Sequence, residues 1–272
     1  RRPTGGDPNR KSLNLHHGVL VSDAFMRAVE LDEQWGLKSP KDGAVQATVS
    51  ARNLWIRLLT ARIETGEPYI IFIDTVNRQI PQHHKLAGLT VKTSNLCSEI
   101  TLPTGIDKDG KDRTAVCCLS SLNLEYFDHW KGTTIVQDLI EYLDDVLQYF
   151  IDNAPKQLAR AISSAVKERS LGLGAMGFHS YLQAHHLPFE SVYAVSANRR
   201  IFSYIKEEAL KATKRLSFEK GEYLDGQGFG HRNAHLLAIA PNANSSIILS
   251  TSPSIEPWKS NAFTHRTRAG SF

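Results

Sequence analysis

The chain is organised around one short polar segment, Ser94-Asn95-Leu96-Cys97-Ser98-Glu99-Ile100. In an extended conformation, successive side chains point to opposite faces, so Asn95, Cys97 and Glu99 share one face at intervals of about 7 Å. That face then combines a hydrogen-bonding amide, a redox-capable thiol and a carboxylate that can act as a general base. The alternative interpretation is a half-buried strand with a packed cysteine, because free cysteine is among the most buried residue types.

Composition limits the classes of protein to which the chain can belong. Its 272 residues, 41% of them hydrophobic, suffice for one large core or two small ones. The net charge of +4 and the pI of about 8.9 suit a small polyanionic substrate. Lys and Arg are scattered and no basic run alternates with aromatic residues, which argues against nucleic-acid binding. No apolar run reaches the roughly 18 residues of a membrane span.

The cysteines indicate the redox environment of the protein and restrict which thiols can face each other. Three cysteines, two of them adjacent, do not make a disulfide framework, so we predict a reducing, cytoplasmic location. Cys117 and Cys118 lie in a strand-like run over 114–124. Because adjacent strand residues point to opposite faces, only one of the two can face Cys97.

Hydrophobic periodicity predicts alternating strands and helices, and hence the α/β class. The predicted strands cover 16–21, 69–73, 114–124 and 236–240, and the predicted helices cover 24–34, 47–64, 135–151 and 195–216. The run 69–73 is apolar throughout, as expected of a strand buried on both faces. Asp74 and Asn77 follow that run, where sites of α/β proteins collect. His83 and His84 fall in a polar segment that we expect to be irregular and solvated.

Two further segments have features of ligand-binding loops. Gly172, Gly174 and Gly177 match the spacing of a dinucleotide-binding fingerprint, although tight packing of a strand against a helix explains the same glycines. Residues 241–246 form a predicted turn of small polar residues after an apolar strand. Such a turn presents backbone N–H groups and hydroxyls that suit a phosphate. An ordinary capping turn is the alternative.

Four separated motifs resemble the large catalytic subunit of class I ribonucleotide reductases. The motifs occur in that family's order and at its approximate spacing, and the resemblance covers essentially the whole chain. They are Asn95–Glu99, Cys117–Leu124, Leu171–Gly177, and Pro241–Ser246 followed by Thr251–Pro257. Leu96 and Ser98 separate the first motif from the Asn-Pro-Cys-Gly-Glu of the cobalamin-dependent class II relatives.

The resemblance implies an α/β fold that is an incomplete ten-stranded α/β barrel, with Cys97 on a central finger loop. It implies that Cys97 becomes a thiyl radical and takes the 3′ hydrogen of a ribonucleotide. Glu99 would accept the proton of the 3′-hydroxyl, and Asn95 would hold a ribose hydroxyl. Cys117 would be one of two thiols that reduce the 2′ position and form a disulfide in each turnover.

The resemblance also implies ligands and partners. Asn244, Ser245 and Ser246 would hold the phosphates of a ribonucleoside diphosphate, while Ala243 receives no role because some family members have an acidic residue there. We expect no metal and no cofactor bound by this chain. The radical would come from a metal-containing small (beta) subunit, thioredoxin or glutaredoxin would reduce the disulfide, and a second copy of the large subunit would form a homodimer.

On the same basis, residues 1–272 are predicted to be a single partial catalytic barrel domain. The second reducing cysteine, the ATP-binding regulatory domain and the allosteric ATP and deoxynucleotide sites are expected upstream, and the C-terminal tail is expected downstream. These missing segments are then further partners, and the isolated chain is expected to be inactive. Two other functions stay open: a dinucleotide-dependent oxidoreductase that uses Gly172, Gly174 and Gly177, and an inactive remnant that only binds partner segments.

Overall fold

The computed structural model describes residues 15–260 and also residues 262, 264, 266, 267, 270 and 271. The chain divides into two compact units, residues 1–108 and residues 109–272. Each unit contains both β-strands and α-helices.

The first unit combines a parallel strand pair, a hairpin and helices. Its strands are β1 (Gly18–Val21), β2 (Gln34–Lys38), β3 (Val45–Ser50), β4 (Tyr69–Phe72) and β5 (Gly105–Ile106). Its helices are α1 (Asp23–Glu30), α2 (Ala51–Thr65), α3 (Ile73–Gln79) and α4 (Gln82–Leu86). β1 pairs with β4 in parallel, and β2 pairs with β3 in an antiparallel hairpin.

Serine caps and a small apolar cluster hold this unit together. The Ser22 hydroxyl accepts a hydrogen bond from the Phe25 N–H at the start of α1, over 3.1 Å. Ser50 accepts one from the Asn53 N–H at the start of α2, over 3.2 Å. Such caps satisfy N–H groups that have no partner inside the helix. The buried apolar cluster consists of Val21 on β1, Phe25 and Ala28 on α1, and Ala51 on α2.

Strand pairing changes two of the predicted helices. The helix predicted over 47–64 is wrong at its start, because residues 45–50 form β3 and Ser50 caps α2. The helix predicted over 24–34 ends at Glu30, and Gln34 already belongs to β2. The two segments find hydrogen-bond partners in each other, so cross-strand pairing outweighs local periodicity.

Two predictions about this unit are wrong, namely solvated side chains at His83 and His84 and a strand over 69–73 that is buried on both faces. His83 and His84 lie on α4 and are 4% and 0% exposed, so they are not solvated. β4 is only half-buried, with Phe72 at 45% exposure. Asp74 accepts a hydrogen bond from the Asp23 N–H at the start of α1, over 2.8 Å. Asp74 therefore caps a helix in this structure.

The second unit contains a parallel strand pair covered by long helices. Its strands are β6 (Asp112–Arg113), β7 (Cys118–Asn123), β8 (Leu171–Met176), β9 (Arg266–Thr267) and β10 (Gly270–Ser271). Its helices are α5 (Phe127–Trp130), α6 (Ile135–Asn153), α7 (Ala159–Glu168), α8 (Phe178–Ala184), α9 (Val192–Lys220) and α10 (Ser245–Ile248). β7 and β8 pair in parallel, from Cys118 opposite Leu171 to Asn123 opposite Met176.

A third segment extends this parallel layer. Leu237 forms a parallel bridge with Leu173, and the Ala238 N–H donates to the Leu173 carbonyl over 3.2 Å. The predicted strand over 236–240 is therefore found as an extended segment with a single bridge. Because all three segments run in the same direction, their carboxyl ends lie at one edge of the layer.

The core of this unit lies between the layer and helices α6 and α9. Its largest fully buried aliphatic and aromatic side chains include Leu124, Phe127, Ile140, Leu147, Leu173, Tyr181, Ile201 and Leu216. The buried stripe of α6 is Val136, Ile140, Leu143 and Leu147. Tyr142 and Val146 lie outside this stripe and are 61% and 39% exposed.

Strands and helices in both units confirm the α/β class. Among the described residues, the strands pair two at a time and close no barrel, so the ten-stranded barrel stays a prediction. In the same part of the chain, no helix is both long enough and apolar enough to cross a membrane.

Candidate functional site

The Asn95–Glu99 segment lies in the first unit and is a tight loop. The Ser98 N–H donates to the Asn95 carbonyl over 3.1 Å, which places Leu96 and Cys97 at the tip of a turn. Ser98 has a φ of +66°. The extended conformation expected from side-chain alternation is therefore wrong for this segment, because the turn interrupts it.

The Asn95 side chain organises this loop. Its Nδ2 donates to Glu99 Oε2 over 2.7 Å, and its Oδ1 accepts from the Ile100 N–H over 3.1 Å. The Ser94 hydroxyl donates to the Ile100 carbonyl over 2.6 Å. These bonds join the two ends of the turn, so Asn95 and Glu99 lie side by side at its base. The amide and the carboxylate meet as expected, although hydrogen bonds rather than strand alternation bring them together.

The Cys97 thiol lies at the exposed tip of the loop and is in no disulfide. Loss of solvation and then the negative charge of Glu99 raise the pKa of this thiol above its ordinary value. A raised pKa keeps the S–H bond intact at neutral pH. An intact S–H bond suits exchange of a hydrogen atom, whereas nucleophilic chemistry requires the thiolate.

Asn77 holds the chain just before this loop. Its Oδ1 accepts from the Val91 N–H over 2.8 Å, and its Nδ2 donates to the Val91 carbonyl over 3.0 Å. The same Nδ2 reaches the Ile73 carbonyl at the start of α3, over 3.1 Å. The sequence marked Asn77 as a candidate site residue only because it follows a predicted strand. The structure gives it a bracing role for the segment that leads into the loop.

Cys118 is the first residue of β7 in the second unit, and Cys117 directly precedes the strand. Cys118 and Leu122 belong to the face that packs against the core. Within β7, alternation places Leu119 and Ser121 on the opposite face. Burial raises the pKa of the Cys118 thiol, with Arg169 opposing the effect and Asp144 adding to it. Cys118 thus packs against the core of the second unit.

The three glycines of the dinucleotide-like pattern have a packing role. Gly172 and Gly174 lie inside β8, where every residue is buried. A Cβ on Gly172 would lie 2.4 Å from Leu119 Cδ2, and one on Gly174 would lie 2.3 Å from the Ala238 carbonyl oxygen. A dinucleotide fingerprint needs its first glycines in the turn between strand and helix. Only Gly177 occupies that turn here, so the dinucleotide interpretation is wrong.

The turn at residues 241–246 follows the third segment of the layer. The Ser246 N–H donates to the Asn242 carbonyl over 3.0 Å, and the Thr251 N–H donates to the Ser246 carbonyl over 2.9 Å. Asn244 and Ser245 are exposed. Ser246 is only 3% exposed, and its hydroxyl donates to the Ala243 carbonyl over 3.4 Å. Two of the three predicted phosphate ligands are therefore open to solvent.

Residues 251–254 are hydrogen-bonded to the start of α8, a feature that the sequence did not predict. The Gly177 N–H donates to the Ser252 carbonyl over 2.7 Å. Ser180 and Ser252 exchange hydrogen bonds: the Ser180 N–H reaches the Ser252 hydroxyl over 3.1 Å, and the Ser252 N–H reaches the Ser180 hydroxyl over 2.9 Å. Thr251, Ser252 and Ser254 are buried, so these tertiary contacts hold the segment inside the second unit.

The structure therefore groups the predicted site residues by unit. Asn95, Cys97 and Glu99 share one loop of the first unit, and Cys117 and residues 244–246 belong to the second. Among the described residues, no group of three His, Cys, Asp or Glu side chains is placed to hold a metal ion.

Comparison with known proteins gives a consistent result. The family model for the ribonucleotide reductase barrel domain matches residues 1–226 and 224–272. The chain is 56% identical over its full length to a candidate ribonucleoside-diphosphate reductase large subunit of frog virus 3 (isolate Goorha), of which it covers 47%. It is 42% identical to the ribonucleoside-diphosphate reductase large subunit of invertebrate iridescent virus 3, with full coverage of this chain and 51% of the relative.

A solved structure agrees with these relatives. The class Id ribonucleotide reductase alpha subunit of Actinobacillus ureae superposes with a TM-score of 0.79 at 40% sequence identity. The match covers 90% of this chain and 44% of that one. The chain thus spans about half the length of the curated relatives it matches.

Proposed function

Because the chain belongs to the ribonucleotide reductase barrel-domain family, we propose that it forms the substrate-reducing part of a ribonucleoside-diphosphate reductase large subunit. The substrate is a ribonucleoside diphosphate and the product is the corresponding deoxyribonucleotide. The observation that carries the proposal is the Asn95–Glu99 hydrogen bond at the base of the turn that presents Cys97.

In this proposal Cys97 is the residue that exchanges hydrogen atoms with the substrate. As a thiyl radical it takes the 3′ hydrogen, which leaves a carbon radical on the ribose and restores the Cys97 S–H bond. Returning that hydrogen to C3′ at the end of the cycle regenerates the radical. The raised pKa of the Cys97 thiol supports this role, because the restored thiol keeps its proton at neutral pH.

Glu99 and Asn95 handle the ribose hydroxyls. Glu99 accepts the proton of the 3′-hydroxyl, for which an ionised carboxylate is required. Asn95 donates a hydrogen bond to Glu99 Oε2 over 2.7 Å and so holds the carboxylate at the base of the loop. The same amide holds a ribose hydroxyl when the substrate is bound.

Cys117 supplies one of the two reducing thiols. Each thiol contributes one hydrogen equivalent, the 2′-hydroxyl leaves as water, and the two sulfurs end as a disulfide. The second thiol comes from a segment outside this chain, and thioredoxin or glutaredoxin reduces the disulfide again. Asn244, Ser245 and Ser246 form the turn for the substrate phosphates, with the exposed Asn244 and Ser245 making the side-chain contacts.

The radical originates in a metal-containing small subunit, and a second large subunit completes a homodimer. We propose that allosteric ATP and deoxynucleotide sites lie outside this segment, and that residues 1–272 form one part of a ten-stranded barrel in a cytoplasmic enzyme.

The test compares two cysteine variants of the complete large subunit, assayed with its small subunit and a ribonucleoside diphosphate. Cys97→Ser abolishes deoxynucleotide formation, because a hydroxyl cannot replace the hydrogen-abstracting sulfur. Cys118→Ser is the matched control, since Cys118 packs against the core, and it retains turnover. Appreciable turnover by Cys97→Ser would show that the radical assignment is wrong. Inactivity of the wild-type enzyme would favour the inactive remnant.

A further inference from the structure

We infer that Asn242 is a positioning residue that fastens the turn at residues 241–246 to the strand ends, so that the turn is ready to receive the substrate phosphates. The inference rests on the proposed function, because it concerns the same turn. It assigns a role to a residue of the 241–246 motif that is not among the proposed phosphate ligands.

The Asn242 side chain bridges three neighbouring strand ends. Only one orientation of its amide satisfies the surrounding groups. In that orientation, Nδ2 donates to the Ala240 carbonyl over 2.8 Å and to the Ala175 carbonyl over 3.1 Å, and Oδ1 accepts from the Ser121 hydroxyl over 2.9 Å. Ser121 lies on β7, Ala175 lies on β8, and Ala240 ends the third segment of the layer.

The backbone of Asn242 also shapes the turn. Its φ of +55° is in the left-handed region, which asparagine tolerates better than most residues that carry a Cβ. Its carbonyl accepts from the Ser246 N–H over 3.0 Å and so closes the turn. One residue therefore provides both the bend and the attachment to the strands.

The space for this attachment comes from Gly174. A Cβ at that position would lie 3.2 Å from the Ser121 hydroxyl and 2.3 Å from the Ala238 carbonyl oxygen. The absence of a side chain lets Ser121 and the third segment approach closely enough for Asn242 to reach both. The glycine that resembled part of a cofactor fingerprint thus serves the attachment of the turn.

Within the turn, the residues that attach it to the protein are less exposed than the residues that face solvent and can contact a phosphate. Asn242 is half-buried and Ser246 is buried, whereas residues 243–245 are exposed. Both donors of the Asn242 amide and its carbonyl oxygen are occupied by protein groups. Asn242 therefore has no free amide hydrogen for a phosphate. Its effect on the substrate must come through the orientation of residues 243–245.

Misplacement by about 1 Å can cost on the order of 10²-fold in rate or affinity. The test uses the complete large subunit with its small subunit and three variants. Asn242→Gly keeps the left-handed backbone and removes the side chain. Ser121→Ala removes one partner and is the milder change. His186→Gly is the matched control, because His186 has a φ of +54° and is exposed in the loop between α8 and α9.

Two measurements are made on each variant: amide hydrogen exchange over residues 243–248 without substrate, and KM and kcat for a ribonucleoside diphosphate. Asn242→Gly and Ser121→Ala are expected to speed exchange about tenfold or more in these residues. They should also raise KM about 10- to 100-fold, with a smaller change in kcat. A residue that only contacts the phosphate would raise KM and leave the exchange of the substrate-free turn unchanged. His186→Gly should change neither quantity.

The outcomes distinguish the inference from the proposed function. If amide exchange is unchanged in both Asn242→Gly and Ser121→Ala, the inference is overturned. The proposed function is not affected by that result as long as the wild-type enzyme turns over. Faster exchange with an unchanged KM also overturns the inference, because the attachment would then not position the phosphates. A wild-type enzyme that neither binds nor reduces a ribonucleoside diphosphate overturns the proposed function, and the inference with it.

Discussion

The side-chain amide of Asn95 donates a hydrogen bond to the Glu99 carboxylate over 2.7 Å, across the turn that presents Cys97. This bond links the residue before the thiol with the residue after it. The shape of the loop and the position of the carboxylate therefore depend on the same contact. Two of our predictions concern this loop.

Replacing Glu99 by glutamine should slow the chemical step and leave substrate binding largely intact. Glutamine keeps the size of the side chain but cannot accept a proton at neutral pH, and loss of a general base typically costs about 10²- to 10⁴-fold in rate. Single-turnover kinetics and a substrate titration on the complete enzyme separate the two effects. Glu30→Gln, on the exposed surface of α1, is the control. Wild-type rates in Glu99→Gln would contradict the role of Glu99 as base.

Cys97 should react slowly with iodoacetamide at neutral pH, because loss of solvation and the Glu99 charge raise the pKa of its thiol. Glu99→Gln removes the second cause, so the pKa of Cys97 falls, the thiolate fraction rises and alkylation becomes faster at a given pH. Mass spectrometry of the modified peptide between pH 7 and pH 10 measures this change. The contrary result is an alkylation rate in Glu99→Gln that equals or falls below the wild-type rate.

Stability of the second unit should fall as the pH rises from about 4.5 to about 8. Burial raises the pKa of the Glu168 carboxyl from 4.5 to about 8, with Arg113 only partly opposing it. Between these values the folded state holds a proton that the unfolded state has lost. The stabilisation is therefore complete below pH 4.5 and is lost towards pH 8.

Glu168→Gln mimics the protonated side chain and should remove this pH dependence, which is worth a few kcal/mol. Denaturant unfolding at pH 5, 7 and 9 measures the difference between variant and wild type. Glu207→Gln, on the exposed side of α9, should keep the wild-type slope. If the free energy of unfolding changes with pH in the same way for Glu168→Gln and wild type, Glu168 does not titrate in this range.

Gly177→Ala should destabilise the second unit by about 2 kcal/mol or more. Gly177 has a φ of +80°, and a Cβ there would lie 2.5 Å from Asn123 Oδ1 and 2.7 Å from Thr251 Oγ1. Gly228→Ala is the matched control, since Gly228 has a φ of +85° but a Cβ there would meet no described atom within 4 Å. The difference between the denaturant midpoints of the two variants measures the part of the destabilisation that comes from steric contacts of the added Cβ. Equal losses of stability in Gly177→Ala and Gly228→Ala would show that the destabilisation comes only from the positive φ.

The isolated 272-residue chain should not reduce ribonucleotides, even with the small subunit present. The proposed chemistry consumes two thiols, and Cys117 is the one reducing thiol that we assign within the chain. Adding the remaining segments of the large subunit in trans is the complementary experiment. Multiple turnover by the purified chain alone would contradict this prediction.

Local patterns were enough to predict several elements of this protein. The long helices α6 and α9 follow from apolar periodicity, and β7 lies within the strand predicted over 114–124. These features depend on residues within a few positions of each other, because helix periodicity and strand alternation are properties of the local backbone.

Tertiary structure decided the features whose partners are distant in the sequence. The hairpin of β2 and β3 replaced predicted helix because two segments pair with each other. Gly172 and Gly174 serve the close approach of residues 119 and 238, which no spacing rule reveals. The amide of Asn242 meets groups from three strand ends, including Ser121 and Ala175. The sequence by itself determined which chemical groups the protein carries and its α/β class. Only folding decided which groups meet, because hydrogen bonds and steric contacts depend on distances in space rather than on positions along the chain.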